Sequence, residues 1–170
     1  MCDVALSFRE SLGGENPIKI TTGGAGGDDS HGCTTMSAAT NCGQIDVIAA
    51  HKYGGPESSN ADQWTNSVNN WYSKVNGKLL FIEEWGANQA LASAVTDWPA
   101  QADDIINSGV PNVYWQLVPA ENSACPYNPA TDSGDEYSIF VNGNVNVGSI
   151  VAKANAASAK QDWSAIVPGT

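Results

Sequence analysis

Positive charge is what this sequence has least of. Seven Lys and Arg stand against 18 Asp and Glu in 170 residues, a formal net charge of −11 at neutral pH, and Arg9 is the one arginine. A chain this acidic, with no basic cluster, repels phosphate backbones and anionic bilayers, which excludes nucleic acid and membrane surfaces as partners. Apolar runs near the roughly 20 residues that span a bilayer are absent too. Met1-Cys2-Asp3 has neither the basic start nor the apolar stretch of a secretory leader, so a secreted form is expected to start here as a mature or truncated chain. No C-x-x-C occurs, which removes the usual zinc and redox cysteine motifs. Asp28, Asp29 and His31 lack a spaced ligand set, so neither a metal nor any other cofactor is expected. The glycine run Gly23–Gly27 lacks the Lys-Ser/Thr of a phosphate cradle and runs into Asp28-Asp29, which would repel phosphate.

What remains is a foldable chain with a neutral polar surface. Hydrophobic residues make up 42%, charged residues only 15%, and six Trp and five Tyr are spread along the sequence. One domain over residues 1–170 is expected, since a chain this long buries roughly 68–70% of its unfolded surface. A surface rich in Asn, Ser, Thr and Gly suits secretion and uncharged ligands such as sugars. The four cysteines, Cys2, Cys33, Cys42 and Cys125, allow two disulfides. Cys33 and Cys42 flank a short loop and are expected to close it in an oxidising, extracellular compartment, leaving the pairing of Cys2 and Cys125 open.

Periodicity predicts alternating helices and strands. Asp3–Leu12 reads as a helix stopped by Gly13-Gly14, and Ile18–Thr22 as a short β-branched strand. Gly23–Gly27 reads as a loop. Ile45–Ala50 is almost wholly apolar, as in a strand covered on both faces. Trp64, Val68, Trp71, Tyr72 and Val75 fall on one helical face, closed by Asn76-Gly77. Lys78–Glu84 is a third strand and Thr96–Ser108 a helix with Pro99 in its first turn. Asn112–Leu117 is a fourth strand, Tyr137–Val141 a short strand, and Ser149–Lys160 an Ala-rich helix. The pattern is α/β with parallel strands. About four β/α units make half of a (β/α)8 TIM-type barrel, which needs ~250 residues when whole. Such a half exposes two sheet edges and one concave face.

Chemistry concentrates where the strands end. Phe81-Ile82-Glu83-Glu84-Trp85-Gly86 carries two carboxylates at the end of an apolar strand, where charge is costly unless it opens onto a mouth. Strict alternation predicts that Glu83 and Glu84 point to opposite sides of the sheet. His51 and Tyr53, which share parity at the end of the preceding strand, could orient a carboxylate by hydrogen bonding. Trp115 in Tyr114-Trp115-Gln116 could offer an indole face to a pyranose ring.

An apolar strand ending His-x-Tyr, then a helix, a strand ending Glu-Trp-Gly and a strand carrying Tyr-Trp-Gln resembles strands six to eight of glycoside hydrolase family 5. That family includes fungal β-mannanases and cellulases. The resemblance covers about Ile18–Leu117 and the closing helix. It implies a retaining β-glycoside hydrolase acting on a β-linked polysaccharide, β-1,4-mannan or β-glucan. Glu84 is implied as nucleophile with Glu83 as its outward neighbour, Tyr53 as the residue bonded to the nucleophile, and His51, Trp85 and Trp115 as substrate contacts. The family's acid/base Asn-Glu pair has no counterpart before Ile18, where Glu10 and Glu15 lie in or after the first helix. The other reading is therefore a carbohydrate-binding or lectin-like protein that has lost this glutamate. If two copies complete the barrel as a homodimer, Glu121 or Glu84 of the second copy could supply the acid/base, and Glu121 has the better strand position.

Overall fold

The computed structural model describes residues 1–13, 18–26, 37–54, 62–89, 94–118, 136–140 and 145–167. Cys33, Cys125 and Glu121 lie outside these residues, as do Asp28, Asp29 and His31. Helix α1 spans Cys2–Ser11, and the chain then reaches strand β1 at Ala25–Gly26. Helix α2 (Ser37–Thr40) leads to strand β2 (Val47–Gly54), and helix α3 (Gln63–Lys74) to strand β3 (Leu79–Ala87). Helix α4 (Ala94–Asn107) precedes strand β4 (Asn112–Tyr114). Strands β5 (Leu117–Val118) and β6 (Ile139–Phe140) follow, and helix α5 spans Val147–Ala156. Among the described residues β1, β2, β3 and β4 form one parallel sheet in that order, and β5 and β6 a second, two-stranded one.

Three expectations shift. Ile18–Thr22 is not a continuous strand: Thr21 makes a single bridge to Val47, and the first strand of the sheet lies within the glycine run expected to be a loop. Glycines fit there because a Cβ at Gly24 would run into the His51 ring. The fourth strand splits, because after Tyr114 the chain leaves the main sheet through a cis Trp115–Gln116 peptide and pairs Leu117-Val118 with Ile139-Phe140.

The core lies between the sheet and its helices. Ile48, Ala50, Leu80 and Ile82 project from one sheet face into Trp64, Val68 and Trp71 of α3 and Ala102 and Ile105 of α4. Fully burying each large apolar side chain there contributes about 1.5–3 kcal/mol. Helix α3 buries the face expected from its spacing and ends on Asn76 and Gly77, both at positive φ. The other face of the sheet is only partly covered. The C-terminal segment crosses its amino-terminal end: Gln161 accepts from the Leu80 N–H (2.9 Å) and donates to the Lys78 carbonyl (2.9 Å), and Trp163 meets Phe81 edge-on. An open basin of about 520 Å³, lined by Val47, Phe81, Pro111, Trp163, Ile166 and Val167 among others, remains there.

The disulfide differs from expectation. Cys42 is joined to Cys2, 40 residues away, with a Cα–Cα distance of 5.6 Å, and not to Cys33. Sequence proximity favoured the short loop, but α1 packs back on the sheet edge. Arg9, in the last turn of α1, donates to the Ile18 and Gln44 carbonyls and pairs with Asp46, which anchors that end of the helix, while Ala5 is buried in the core and Cys2 at the helix start packs against it. Closing this 40-residue loop constrains the unfolded chain by about 4 kcal/mol in the chain-entropy account, roughly 1 kcal/mol more than the short loop would.

Candidate functional site

Two strand registers locate an irregularity at the carboxylates. Along β2, Ala50 faces Ile82 but His51 faces Glu84, so one residue of β3 is passed over. Along β4, Ile82 pairs with Asn112 and Trp85 with Tyr114, three steps against two. Both neighbours therefore see one extra residue at Glu83-Glu84, a β-bulge in which two residues oppose one. Strict alternation would send Glu84 with Ile82 toward the helices and Trp85 to the open face. The bulge reverses this.

The expectation that Glu83 and Glu84 point to opposite sides is thus corrected, since both carboxylates reach His51. Glu83 Oε2 lies 3.1 Å from His51 Nε2, and Glu84 Oε2 lies 3.6 Å from His51 Nδ1. Tyr53 Oη donates to Glu84 Oε2 at 2.6 Å, a short, charge-assisted geometry. All four residues come from the C-terminal ends of adjacent parallel strands, where open α/β sheets place their binding sites.

Trp85 is the second correction. Only 3% of it is exposed, and its ring packs on Trp64, Trp98 and Tyr114 while its Nε1–H donates to Asn112 Oδ1 (3.0 Å). It is a core anchor and not a substrate contact, because the bulge turns it to the helix side. Trp115 is 42% exposed, and its backbone N–H donates to the Trp85 carbonyl (2.8 Å), so its position is fixed while its ring remains accessible.

The Glu-Trp-Gly order now has a local reason. Gly86 is the next residue on the open face, and a Cβ there would collide with the Tyr53 ring. Its absence lets Tyr53 lie against β3, where Tyr137 packs on it with ring centroids 4.6 Å apart. The Tyr137 carbonyl accepts from Tyr114 Oη, which ties this ring to β4. Residue types and spacing therefore assemble His51, Tyr53, Glu84 and, by the bulge, Glu83 at one mouth.

The architecture can be compared with known proteins at this point. It is shared with glycoside hydrolases. An endo-β-1,4-mannanase from Thermotoga petrophila matches with a TM-score of 0.58 at 12% identity, over 95% of this chain and 40% of that one. A second structure, the hyperthermostable endo-1,4-β-D-mannanase from Thermotoga petrophila RKU-1 with maltose and glycerol, matches with a TM-score of 0.60 at 13% identity, over 91% of this chain and 50% of that one. The chain thus spans half or less of these mannanases, and at such identities the likeness is one of fold, part of a TIM barrel. No protein-family profile and no curated protein matches the sequence.

Four contributors escaped the sequence reading. Glu83 was assigned outward because no local signal announces a bulge. Tyr137 lies 84 residues from Tyr53, beyond any periodicity argument. Gly24 and Gly86 were legible as glycines, but the aromatic rings that require them come from a neighbouring strand.

Proposed function

We propose that this chain forms part of a retaining β-glycoside hydrolase acting on β-1,4-linked mannan or glucan. The observation that carries the reading is the 2.6 Å hydrogen bond from Tyr53 to Glu84 at the C-terminal ends of adjacent parallel strands. Donation by a phenol fixes the direction of a carboxylate on the partly covered face of the sheet. The fold shared with endo-mannanases supports the same class. In this scheme Glu84 attacks the anomeric carbon and the leaving oxygen departs with a proton from a second carboxyl group, about 5–5.5 Å away. Water then hydrolyses the glycosyl ester, with the second group acting as base. Trp115 is the stacking surface for the sugar and His51 a polar contact to it.

The second carboxyl group is assigned to Glu121 of a second copy, which would complete the barrel as a homodimer. That β1 and β4 each pair on one side only among the described residues, and the apolar basin, support that assembly. The Cys2–Cys42 disulfide supports an extracellular setting. The alternative reading is a carbohydrate-binding protein without turnover, for which the accessible Trp115 speaks. The deciding experiment compares hydrolysis of soluble mannan and carboxymethylcellulose by wild type and by Glu84→Gln. The hydrolase reading expects turnover by wild type and its loss, by roughly 10³-fold or more, in the variant. Binding of these glycans with no turnover by wild type would establish the alternative.

A further inference from the structure

Glu83 has a place in the site that neither acid/base nor nucleophile chemistry uses. Its Oε2 accepts from the Gly24 N–H at 2.9 Å and lies 3.1 Å from His51 Nε2. One carboxylate on β3 therefore reaches across β2 to the entrance of β1. His51, its side chain 16% exposed, is held between that carboxylate and Glu84. An ionised carboxylate only accepts hydrogen bonds, so the 3.1 Å contact requires a proton on Nε2. The contact of Nδ1 with Glu84, at 3.6 Å, is too long for a hydrogen bond. Gly24 contributes through its missing side chain, since a Cβ would occupy the space of the imidazole.

We propose that Glu83 is a positioning residue that fixes the orientation and tautomer of His51. It binds the Nε2 proton and turns Nδ1, as an acceptor, toward the mouth beside Glu84. A ligand group meeting the neutral ring there must donate, as a sugar hydroxyl does. The functional meaning of this arrangement rests on the hydrolase reading; the orientation of His51 does not.

The test uses the intact chain labelled with ¹⁵N and long-range ¹H–¹⁵N correlation of the imidazoles, at a pH where they are neutral. The sequence has two histidines, so His31→Gln assigns the signals. Wild type is expected to hold the Nε2–H tautomer by about ten to one or more. In Glu83→Ala the remaining carboxylate, Glu84, lies on the Nδ1 side, and the ratio is expected to invert. Glu84→Gln is expected to keep Nε2–H. In Glu83→Gln the amide carbonyl still accepts, so the tautomer stays while the Nε2 proton resonance moves upfield. A wild-type ring protonated on Nδ1, or an unchanged tautomer in folded Glu83→Ala, would overturn the proposal. If Glu83→Ala does not fold, an unmoved Nε2 proton in Glu83→Gln does the same. Failure of every glycan to turn over would remove the hydrolase reading and leave the tautomer result intact.

Discussion

Trp85 and Trp115 differ in role because the extra residue at Glu83-Glu84 turns Trp85 to the helix side, whereas Trp115 follows Tyr114 beyond the end of β4. Trp85 sits in an aromatic cluster with Trp64, Trp98 and Tyr114, where its removal leaves a large cavity. Trp85→Ala is expected to lower stability by about 3–5 kcal/mol in urea unfolding. Trp115 offers an accessible ring at the mouth. Trp115→Ala is expected to weaken retention on mannan by about fivefold in affinity electrophoresis, with the unfolding midpoint unchanged. A lowered midpoint with undiminished retention would assign Trp115 to the core instead.

At the level of elements, helix α4 carries an electrostatic cost at Asp104. Burial, and then the like charges of Asp103 and of Asp62 at the start of α3, raise the Asp104 carboxyl above the usual aspartate value of 3.8. Asp103 itself pairs with Lys153 of α5 at 2.6 Å, an exposed contact that contributes at most about 1 kcal/mol. Because Asp104 binds its proton more tightly when folded, its contribution is favourable at low pH and is lost as pH rises through the raised value. The ionised group therefore destabilises the folded chain at neutral pH. Asp104→Asn is expected to raise the thermal midpoint at pH 7, with the gain vanishing below the ordinary aspartate value. An equal gain at pH 7 and pH 3.5 would show that charge is not its cause.

For the whole molecule, several exposed apolar side chains lie near the two outer strands of the four-stranded sheet. Val113 and Leu117 are exposed along and just beyond the β4 edge. Met1, Val4 and Phe8 are exposed near the β1 edge, against Ile20–Gly23. The basin at Phe81 and Trp163 lies between the two edges. A two-fold pairing would set each edge against the partner's opposite edge and cover both. Light scattering at micromolar concentration is expected to report twice the 17.7 kDa chain mass. A monomer under those conditions would reject the homodimer and, with it, Glu121 of a second copy as the acid/base.

The sequence alone determined helix α3, strands β2 and β3, and the chemistry at the strand ends. Helical spacing marked Trp64, Val68, Trp71 and Val75, apolar runs marked β2 and β3, and the order His-x-Tyr then Glu-Trp-Gly brought His51, Tyr53 and Glu84 together. These are local patterns, set by side-chain period and by the polarity of strand ends. Tertiary structure decided what local pattern cannot encode. The bulge at Glu83-Glu84 accompanies the packing of Trp85 in the aromatic core, and its one-residue shift turns the side chains that follow to the other face. The Cys2–Cys42 bond and the Tyr137–Tyr53 contact join residues 40 and 84 positions apart, and only packing of α1 and of the β6 segment on the sheet brings them within reach.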